Sequence, residues 1–392
     1  MGTLFDRFQG WFLENRKTLL SRFSTDEQET QEPEKSLIEL PPHFAAKLVA
    51  AVDELPTDNP DMEAINSKLN EAFEKWRSNP QAADNSVVIL SSPVTTVSRT
   101  LNESLQDWAS EREIPLRPLQ WIGRPEKAED IPTKLRQQLG RGLVTTESQQ
   151  PEIVVISNLS WCFLRCIDGL EGIDYLQDVL LQDDSRFWVI GAGKVSWEYL
   201  NHVSHFKAYC GEYLELPRLT AEQLQEWFEP IVSKFDIHFA KPNIEFSNSE
   251  ENESYQSRYF KKLADLSQGV NIVAVQIFLS SIRYEDKETD NEDNEKTEGI
   301  LEAQYPELPN LPRLNPDEHY ILYSLLLHGD LSLSALSESL GDEKNLVKGQ
   351  VQMLRRKGLV EQKRGILTIN PIHYPRLKSE LANNNFIIYE SD

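Results

Sequence analysis

VVILSSPVTTVS, Val87–Ser98, is the stretch on which the fold turns. Val87-Val88-Ile89-Leu90 is a short all-apolar run of the kind that forms a strand buried on both faces. From Val97 to Ser110 the apolar residues recur at helical spacing, which predicts a helix. Strand, tight loop and helix in that order mark the place where a nucleotide-binding α/β fold builds its phosphate loop. A working loop needs G-x-x-x-x-G-K-[ST], because glycines let backbone N–H groups close around phosphate, the lysine reaches the β/γ oxygens, and the hydroxyl holds Mg²⁺. Here the eight positions are Ser91, Ser92, Pro93, Val94, Thr95, Thr96, Val97 and Ser98. Ser91 and Thr96 stand where glycine is needed, Val97 stands where lysine is needed, and only Ser98 matches. A lost charge-assisted hydrogen bond is worth about 1.5–3 kcal/mol, and added Cβ atoms obstruct the cradle.

Outward from this loop the same rhythm continues. Strands are predicted at Leu116–Trp121, Ile153–Ile156, Phe187–Ile190 and Tyr213–Leu216, and helices at Ile131–Leu139, Trp161–Leu181 and Trp197–His205. Short strand-like runs separated by helices specify an α/β fold, with a mostly parallel sheet covered on both faces. Ile153-Val154-Val155-Ile156 is the strand after which a hydrolase places an aspartate for Mg²⁺ and a glutamate to polarise water. Ser157 and Asn158 follow it instead. Two separate motifs therefore lack their charged residues, and no catalytic residue is assigned. Gly191-Ala192-Gly193-Lys194 has Trp188 and Val195 at positions that a phosphate loop reserves for Gly and Ser/Thr, so it is read as a strand-to-helix turn.

After Leu216 the pattern is helical, at Thr220–Lys234, Tyr255–Ser267 and Asn271–Ile282, with Thr220 and Gln223 spaced for a capping box. Glu285–Glu298 carries eight acids against two lysines and no aliphatic residue, a composition that predicts a disordered linker. The order of these elements resembles AAA+ ATPases of the branch with a C-terminal winged helix, including STAND-type and origin-recognition-like proteins. Ile153–Leu181 resembles the second-motif strand and its helix, and Tyr259–Ile282 resembles the helical lid, with its small-residue turn Ser267-Gln268-Gly269 and Ala274. Phe187–Leu200 is similar to the next strand, where that family often keeps a polar nucleotide sensor; Gly191 stands there in this chain. The resemblance implies a P-loop-type sheet, a lid and a winged helix, as a degenerate, non-catalytic member. Nucleotide is not an expected cofactor, although weak ATP or ADP binding through backbone groups of Ser91–Ser98 remains an open alternative.

From Pro316 the chain reads as a winged-helix domain: a helix ended by Gly329, a helix Ala335–Leu340 ended by Gly341, and a third helix Asp342–Lys357. The segment Leu359–Ile369 around Lys363-Arg364-Gly365 then forms a hairpin. Val347, Val351 and Leu354 face inward, and Lys344, Lys348 and Arg355 are placed on the opposite side with Arg356, Lys363 and Arg364 nearby. A basic third helix and wing suit either DNA phosphates or a protein contact. Residues 341–365 hold seven Lys or Arg against three acids, inside a chain of net charge -23. A field of that sign repels nucleic acid at long range, while a local basic patch survives within it. The stretch Asn370–Phe386 is predicted to add a helix against the wing.

Met1–Phe23 places Phe5, Phe8, Trp11 and Phe12 on a predicted amphipathic helix, tethered by an acidic linker, which fits a protein partner, a peripheral membrane surface or the chain's own body. The protein partners that fit include a related active ATPase and a second copy of the chain. Three cysteines give no disulfide framework, and no run of 18 uncharged apolar residues exists, so a cytosolic protein is expected. His202, His205 and Cys210 lack a fourth ligand at sensible spacing, so no metal site is assigned. Cys162 and Cys166, four apart on one predicted helix, are read as small core residues, and Trp161, Trp188 and Trp197 as core. The expected domains are an N-terminal helix and linker (1–35), the α/β core with its preceding helices (36–218), a helical lid (219–283), an acidic linker (284–312) and the winged helix (313–392).

Overall fold

In the computed structural model the described residues are 37–38, 40–55, 59–81, 84–95, 97–121, 123–140, 152–241, 254–285 and 300–388. The N-terminal aromatic stretch with Phe5, Phe8, Trp11 and Phe12, the loop position Thr96 and most of the acidic segment 286–299 lie outside them. The chain divides into two compact units. One comprises Thr57–Pro217, Pro312–Asn370 and Arg376–Asp392; the other comprises Met1–Pro56, Arg218–Leu311 and Pro371–Pro375.

In the first unit the elements in chain order are α1 (Asn59–Ser78), β1 (Ser86–Ser91), α2 (Val97–Ser110), β2 (Leu116–Pro118), α3 (Asp130–Leu139) and β3 (Glu152–Ile156). These are followed by α4 (Glu171–Gln182), β4 (Arg186–Gly193), α5 (Lys194–Ser204) and β5 (Glu212–Glu215). The five strands form one parallel sheet in the order β2-β3-β4-β1-β5. Val87 lies opposite Val189, and Val155 is also paired with Val189 from the other side. Side chains alternate across a strand, so Val87, Ile89, Ile153, Val155, Phe187 and Val189 line one face and pack against α1 and α2. Val88, Leu90, Val154, Ile156, Trp188 and Ile190 are buried as well, which is why these strands read as continuous apolar runs. Phe73 of α1 anchors the first face, edge-on to Trp108 at 5.2 Å and to Phe187 at 5.5 Å. The indole N–H groups find partners: Trp108 donates to Asn70 Oδ1 at 2.7 Å and Trp76 to the Asp184 carbonyl at 3.1 Å.

The same unit continues through α6 (Pro316–His328), β6 (Leu331–Ser332), α7 (Leu333–Leu340), α8 (Lys344–Arg356), β7 (Val360–Lys363), β8 (Ile366–Ile369) and α9 (Tyr374–Asn383). The three strands pair antiparallel in the order β6-β8-β7. Asn315 and Glu318 close a capping box at the start of α6, and Gly329 (φ 73°) ends it. Lys363 pairs with Ile366, so Arg364 (φ 48°) and Gly365 (φ 84°) form a two-residue hairpin turn with both residues left-handed, as the right-handed twist of the strands requires. The last helix and the residues after it meet α6. Glu380 meets His319 Nε2 at 3.0 Å, and Phe386 lies 4.9 Å from Tyr323 and 5.1 Å from Tyr320, all three partners on α6.

The second unit is not the all-helical lid that its periodicity predicts. Helices Pro42–Asp53, Ala221–Lys234, Tyr255–Ser267 and Asn271–Ser281 accompany a four-stranded sheet in the order Leu37–Ile38, Ile282–Glu285, Ile300–Ala303, Ile237–Phe239. Ile300–Ala303 thus ends the predicted linker early: Leu301 and Ala303 alternate into the core while pairing with both neighbours. The helix Pro42–Asp53, which the sequence groups with the parallel sheet, belongs here. The Thr220–Gln223 capping box forms as predicted. Phe228, Tyr259, Phe260 and Phe278 make the aromatic core, with the Tyr259 hydroxyl held 2.6 Å from Ser281 Oγ.

Candidate functional site: the carboxyl edge of the parallel sheet

Ligands of open α/β folds bind outside the carboxyl ends of the strands, where loops converge. The loops after β1 and β3 and the end of β4 meet at that edge, and the loops' polar side chains bond to one another. In the loop after β1 the Thr95 N–H donates to the Ser92 carbonyl at 3.0 Å, Pro93 has no N–H, and Ser91 Oγ donates to the Ser92 carbonyl at 3.3 Å. Of the backbone donors that a phosphate cradle would use here, Pro93 offers none and Thr95 is engaged within the turn. Val97, at the lysine position, is buried in the core beneath the sheet. Ser98, the one residue that matches, donates its hydroxyl to the Ser157 carbonyl at 3.1 Å.

The second motif is occupied in the same way. Ser157 Oγ donates to Asn102 Oδ1 at 3.1 Å, and Asn158 Oδ1 accepts from the Ser160 N–H at 3.1 Å and the Ser160 hydroxyl at 2.7 Å. Asn158 thereby caps a single 3-10 turn, Leu159–Cys162. The one long helix predicted from Trp161 to Leu181 is thus broken: residues 163–170 form a loop, and α4 starts at Glu171. Cys162 and Cys166 consequently do not share a helix face; burial pushes their thiols up, to about 12 and about 11, leaving both protonated. The strand-to-helix junction expected at Gly191-Lys194 forms with no intervening loop. The strand β4 runs through Gly193 and α5 begins at Lys194, whose ammonium meets Glu215 at 3.0 Å. Gly191 has a packing reason, since a Cβ there would lie 2.6 Å from the Ser157 carbonyl oxygen and 2.9 Å from Val97. That close approach leaves no room for a polar sensor side chain.

What closes this edge is the carboxyl end of α6. The last carbonyls of a helix have no partner within it and carry the negative end of its dipole. Here the Leu327 carbonyl accepts from Ser196 Oγ at 2.7 Å, and the His328 carbonyl accepts from Arg124 at 3.3 Å and lies 2.8 Å from Ser160 Oγ, whose single proton it shares with Asn158 Oδ1. The Arg124 guanidinium also donates to the Ser160 and Phe163 carbonyls. Burial lowers its pKa to about 10, opposed by the Asp330 carboxylate. Arg165 reaches Ser324 Oγ and the Ser339 carbonyl, both at 3.2 Å, and Trp161 donates to Asp330 Oδ1 at 2.9 Å. Gly329 follows directly, a Cβ there standing 3.8 Å from the Pro93 carbonyl oxygen. The corner that a triphosphate needs lined with N–H donors and a lysine is lined with carbonyls, and its two arginines are committed to them. The residues present do not fit a Mg²⁺-triphosphate. Among the described residues, no group of three His, Cys, Asp or Glu could hold a metal ion, and no helix is long and apolar enough to cross a membrane.

His328 sits at the centre of this closure. It is fully buried, lies tilted against Phe163 with ring centroids 4.9 Å apart, and accepts the Arg165 backbone N–H at Nε2, which places its proton on Nδ1. Burial first, then the Arg124 and Arg165 charges, hold its pKa well below 6.5. The unfolded chain binds this proton near pH 6.5 while the folded chain does not, so stability is fully present above that pH and is lost as pH falls below it. The expected slope from this group is about 1.4 kcal/mol per pH unit. Urea unfolding at pH 7.5 and 5.5 should show a smaller pH dependence in His328→Gln than in the native chain; equal slopes contradict the assignment.

The basic residues on α8 and the hairpin fall otherwise than predicted. Lys344, Lys348, Arg356 and Arg364 are exposed, whereas Arg355 and Lys363 are half-buried and Arg355 donates to Gln362 Oε1 at 3.0 Å. At 100° per residue, Lys344, Lys348 and Arg355 flank the buried stripe Val347, Val351, Leu354 and do not oppose it. The face opposite the core presents Asn345, Gly349, Gln352 and Arg356, and the exposed Leu346 and Met353 lie to one side of it. His202 is exposed and bonded to the Glu198 carbonyl at 2.8 Å, and His205 is the left-handed residue that ends α5, so neither is placed as a ligand. Trp188 and Trp197 are core residues, while Trp161 is half-buried and serves the closure. Arg124, Ser160, Arg165, Ser196 and His328 carry no sequence signal, because isolated residues of common type announce nothing until the fold brings them together.

No family model matches the chain, and no curated protein matches it in sequence. Solved structures similar to it include the RuvB Holliday junction branch migration motor of Thermotoga maritima, 17% identical with a TM-score of 0.26, over 81% of this chain and 94% of that one. Cdc6p from Pyrobaculum aerophilum is 13% identical with a TM-score of 0.33, over 84% and 96%. The ORC1 protein of Aeropyrum pernix, solved in complex with DNA, is 15% identical with a TM-score of 0.34, over 86% and 95%. At those scores the fold description rests on this chain's own sheet topology.

Proposed function

We propose that this chain is a non-catalytic AAA+-like protein that acts by binding other macromolecules, its C-terminal helices and three-stranded sheet serving as a winged helix. The observation that carries the reading is chemical: both nucleotide motifs lack their charged residues, and the hydroxyl and amide groups left there bond to the chain itself. The carboxyl end of α6 adds electronegative carbonyls to the same corner. Anions are favoured at helix N-termini and opposed at C-termini, so a triphosphate gains nothing there. Purified full-length chain at saturating Mg·ATP is expected to release phosphate at the buffer rate. Calorimetry should detect no magnesium-dependent nucleotide binding in the micromolar range typical of working sites. Phosphate release above buffer, abolished by Ser98→Ala, would overturn the proposal.

Four exposed cations favour a second reading, in which Lys344, Lys348, Arg356 and Arg364 contact duplex phosphates. A labelled duplex titrated at low and moderate salt separates the two. That reading requires binding that weakens with salt and in Lys348→Glu and Arg356→Glu alike.

A further inference from the structure

The two edges of the parallel sheet are finished differently. In a strand the N–H and C=O of one residue point to the same side, and successive residues alternate. At β2 the Ile153 N–H donates to the Pro115 carbonyl at 3.3 Å and the Leu119 N–H to the Val155 carbonyl at 2.8 Å, so Leu116 and Pro118 face outward. Pro118 has no N–H to offer, which blunts that edge. At β5 the Leu216 N–H donates to the Leu90 carbonyl at 2.9 Å, so Glu212, Leu214 and Leu216 bond to β1 while Tyr213 and Glu215 face outward. Both keep an N–H and a C=O, and none of these four groups has a partner among the described residues. The charges that could guard this edge are paired within the chain: Glu212 is held by Lys68 and by Lys75, the latter at 2.7 Å, and Glu215 by Lys194 at 3.0 Å. Tyr213 is 40% exposed and Leu214 half-buried. The Lys207 ammonium lies 4.5 Å from the Tyr213 ring centroid and forms no ion pair among the described residues.

We propose that β5 pairs with β5 of a second copy of this chain, antiparallel about a two-fold axis at Leu214, so that two five-stranded sheets become one. The free groups single out this register. The Gly211 N–H is engaged by Ser86 Oγ at 2.8 Å and Pro217 has none, so the open edge consists of Tyr213 and Glu215. Pairing centred on Tyr213 sets Glu215 against Gly211, and pairing centred on Glu215 sets Tyr213 against Pro217 and the two Glu215 carboxylates against each other. Pairing centred on Leu214 sets Tyr213 of each copy opposite Glu215 of the other and closes four backbone hydrogen bonds. The side chains match in the same register. Leu214 meets Leu214 on the face that packs α1, and on the other face Lys207, lying over Tyr213, is brought to the second copy's Glu215. This self-match is what selects a second copy as the occupant. The inference goes beyond the reading above, and its test does not involve nucleotide, so phosphate release would overturn that reading and leave the outcome here unchanged.

Sedimentation equilibrium of the full-length chain from about 1 to 100 μM is expected to show a mass rising toward twice that of one chain. The salt is set at about 0.15 M, where screening confines the repulsion between two chains of charge -23 to about 8 Å. Tyr213→Pro removes two of the four inter-copy donors and none of the bonds to β1, so the dissociation constant should rise at least about tenfold. Lys207→Glu, a change at an exposed side chain, should raise it about threefold. Cross-linking locates the axis. In a non-hydrogen-bonded antiparallel pair the Cα atoms lie about 4.5 Å apart, within reach of a disulfide. In a chain carrying Cys166→Ser and Cys210→Ser, diamide should take two electrons and two protons from the facing thiols of Leu214→Cys and yield a covalent dimer on denaturing gels. Glu212→Cys should stay monomeric under the same treatment, because its two copies stand about 13 Å apart in this register. A single species of monomer mass throughout, association unchanged in both Tyr213→Pro and Lys207→Glu, or cross-linking of Leu214→Cys no greater than that of Glu212→Cys each overturns the proposal.

Discussion

Arg124→Ala is expected to lower the stability of the sheet-bearing unit by about 3–4 kcal/mol, one of the two largest single-site losses anticipated in this chain. The guanidinium serves three backbone carbonyls, those of Ser160, Phe163 and His328, drawn from the loop after β3 and from the end of α6. Truncation leaves those acceptors facing a void, and each buried acceptor without a donor costs about 1–3 kcal/mol before relaxation. Arg124→Lys should recover less than half of the loss, because an ammonium cannot reproduce the planar fork that reaches several carbonyls at once. Urea unfolding monitored by tryptophan fluorescence measures both. A change below about 1 kcal/mol in Arg124→Ala would mean that solvent supplies the missing donors and that the closure is incidental. The same variant should admit protease between β3 and α4 sooner than the native chain does, since Arg124 ties that loop down.

Phe73→Ala is expected to cost about 4 kcal/mol by a different mechanism. The ring is fully buried and touches Trp76, Trp108 and Phe187, two of them edge-on. Removing it deletes apolar burial, leaves a cavity that bulky aromatic neighbours cannot fill, and forfeits the edge-to-face attractions. Phe73→Leu should cost less than half as much, because most of the volume remains. Equilibrium unfolding that places both variants within about 1 kcal/mol of the native chain would show that α1 is not part of the cooperative core. Only Arg124→Ala should expose the loop after β3 to protease at low denaturant, so proteolysis tells the two mechanisms apart.

Much of the architecture was legible in residue order. The all-apolar runs at Val87–Leu90, Ile153–Ile156 and Phe187–Ile190 can satisfy themselves only as strands buried on both faces, and each forms one. The helices Val97–Ser110 and Tyr255–Ser267 begin and end where their periodicity does, because that periodicity is the buried stripe. The predictions failed where a short polar signal competed with a long apolar one. Ile300–Ala303 follows an acidic stretch and was absorbed into it, yet two alternating apolar residues beside two waiting strand edges are enough to pair. Trp161–Leu181 looks helical by composition, but Asn158 caps a single turn, and the loop that follows is held by Arg124 from outside it and by its own Arg165 reaching the Ser339 carbonyl.

The sequence by itself determined that the phosphate loop lacks its lysine and glycines and that the second motif lacks its acids, because charge and Cβ are properties of residue type. It determined too that a parallel sheet underlies them. Only the tertiary structure decided what stands at the carboxyl edge of that sheet. Every helix ends in carbonyls that need donors, but nothing local says which donors will come. Arg124, Ser160 and Ser196 reach Leu327 and His328 across more than a hundred residues of chain, and that meeting exists only once both parts have folded.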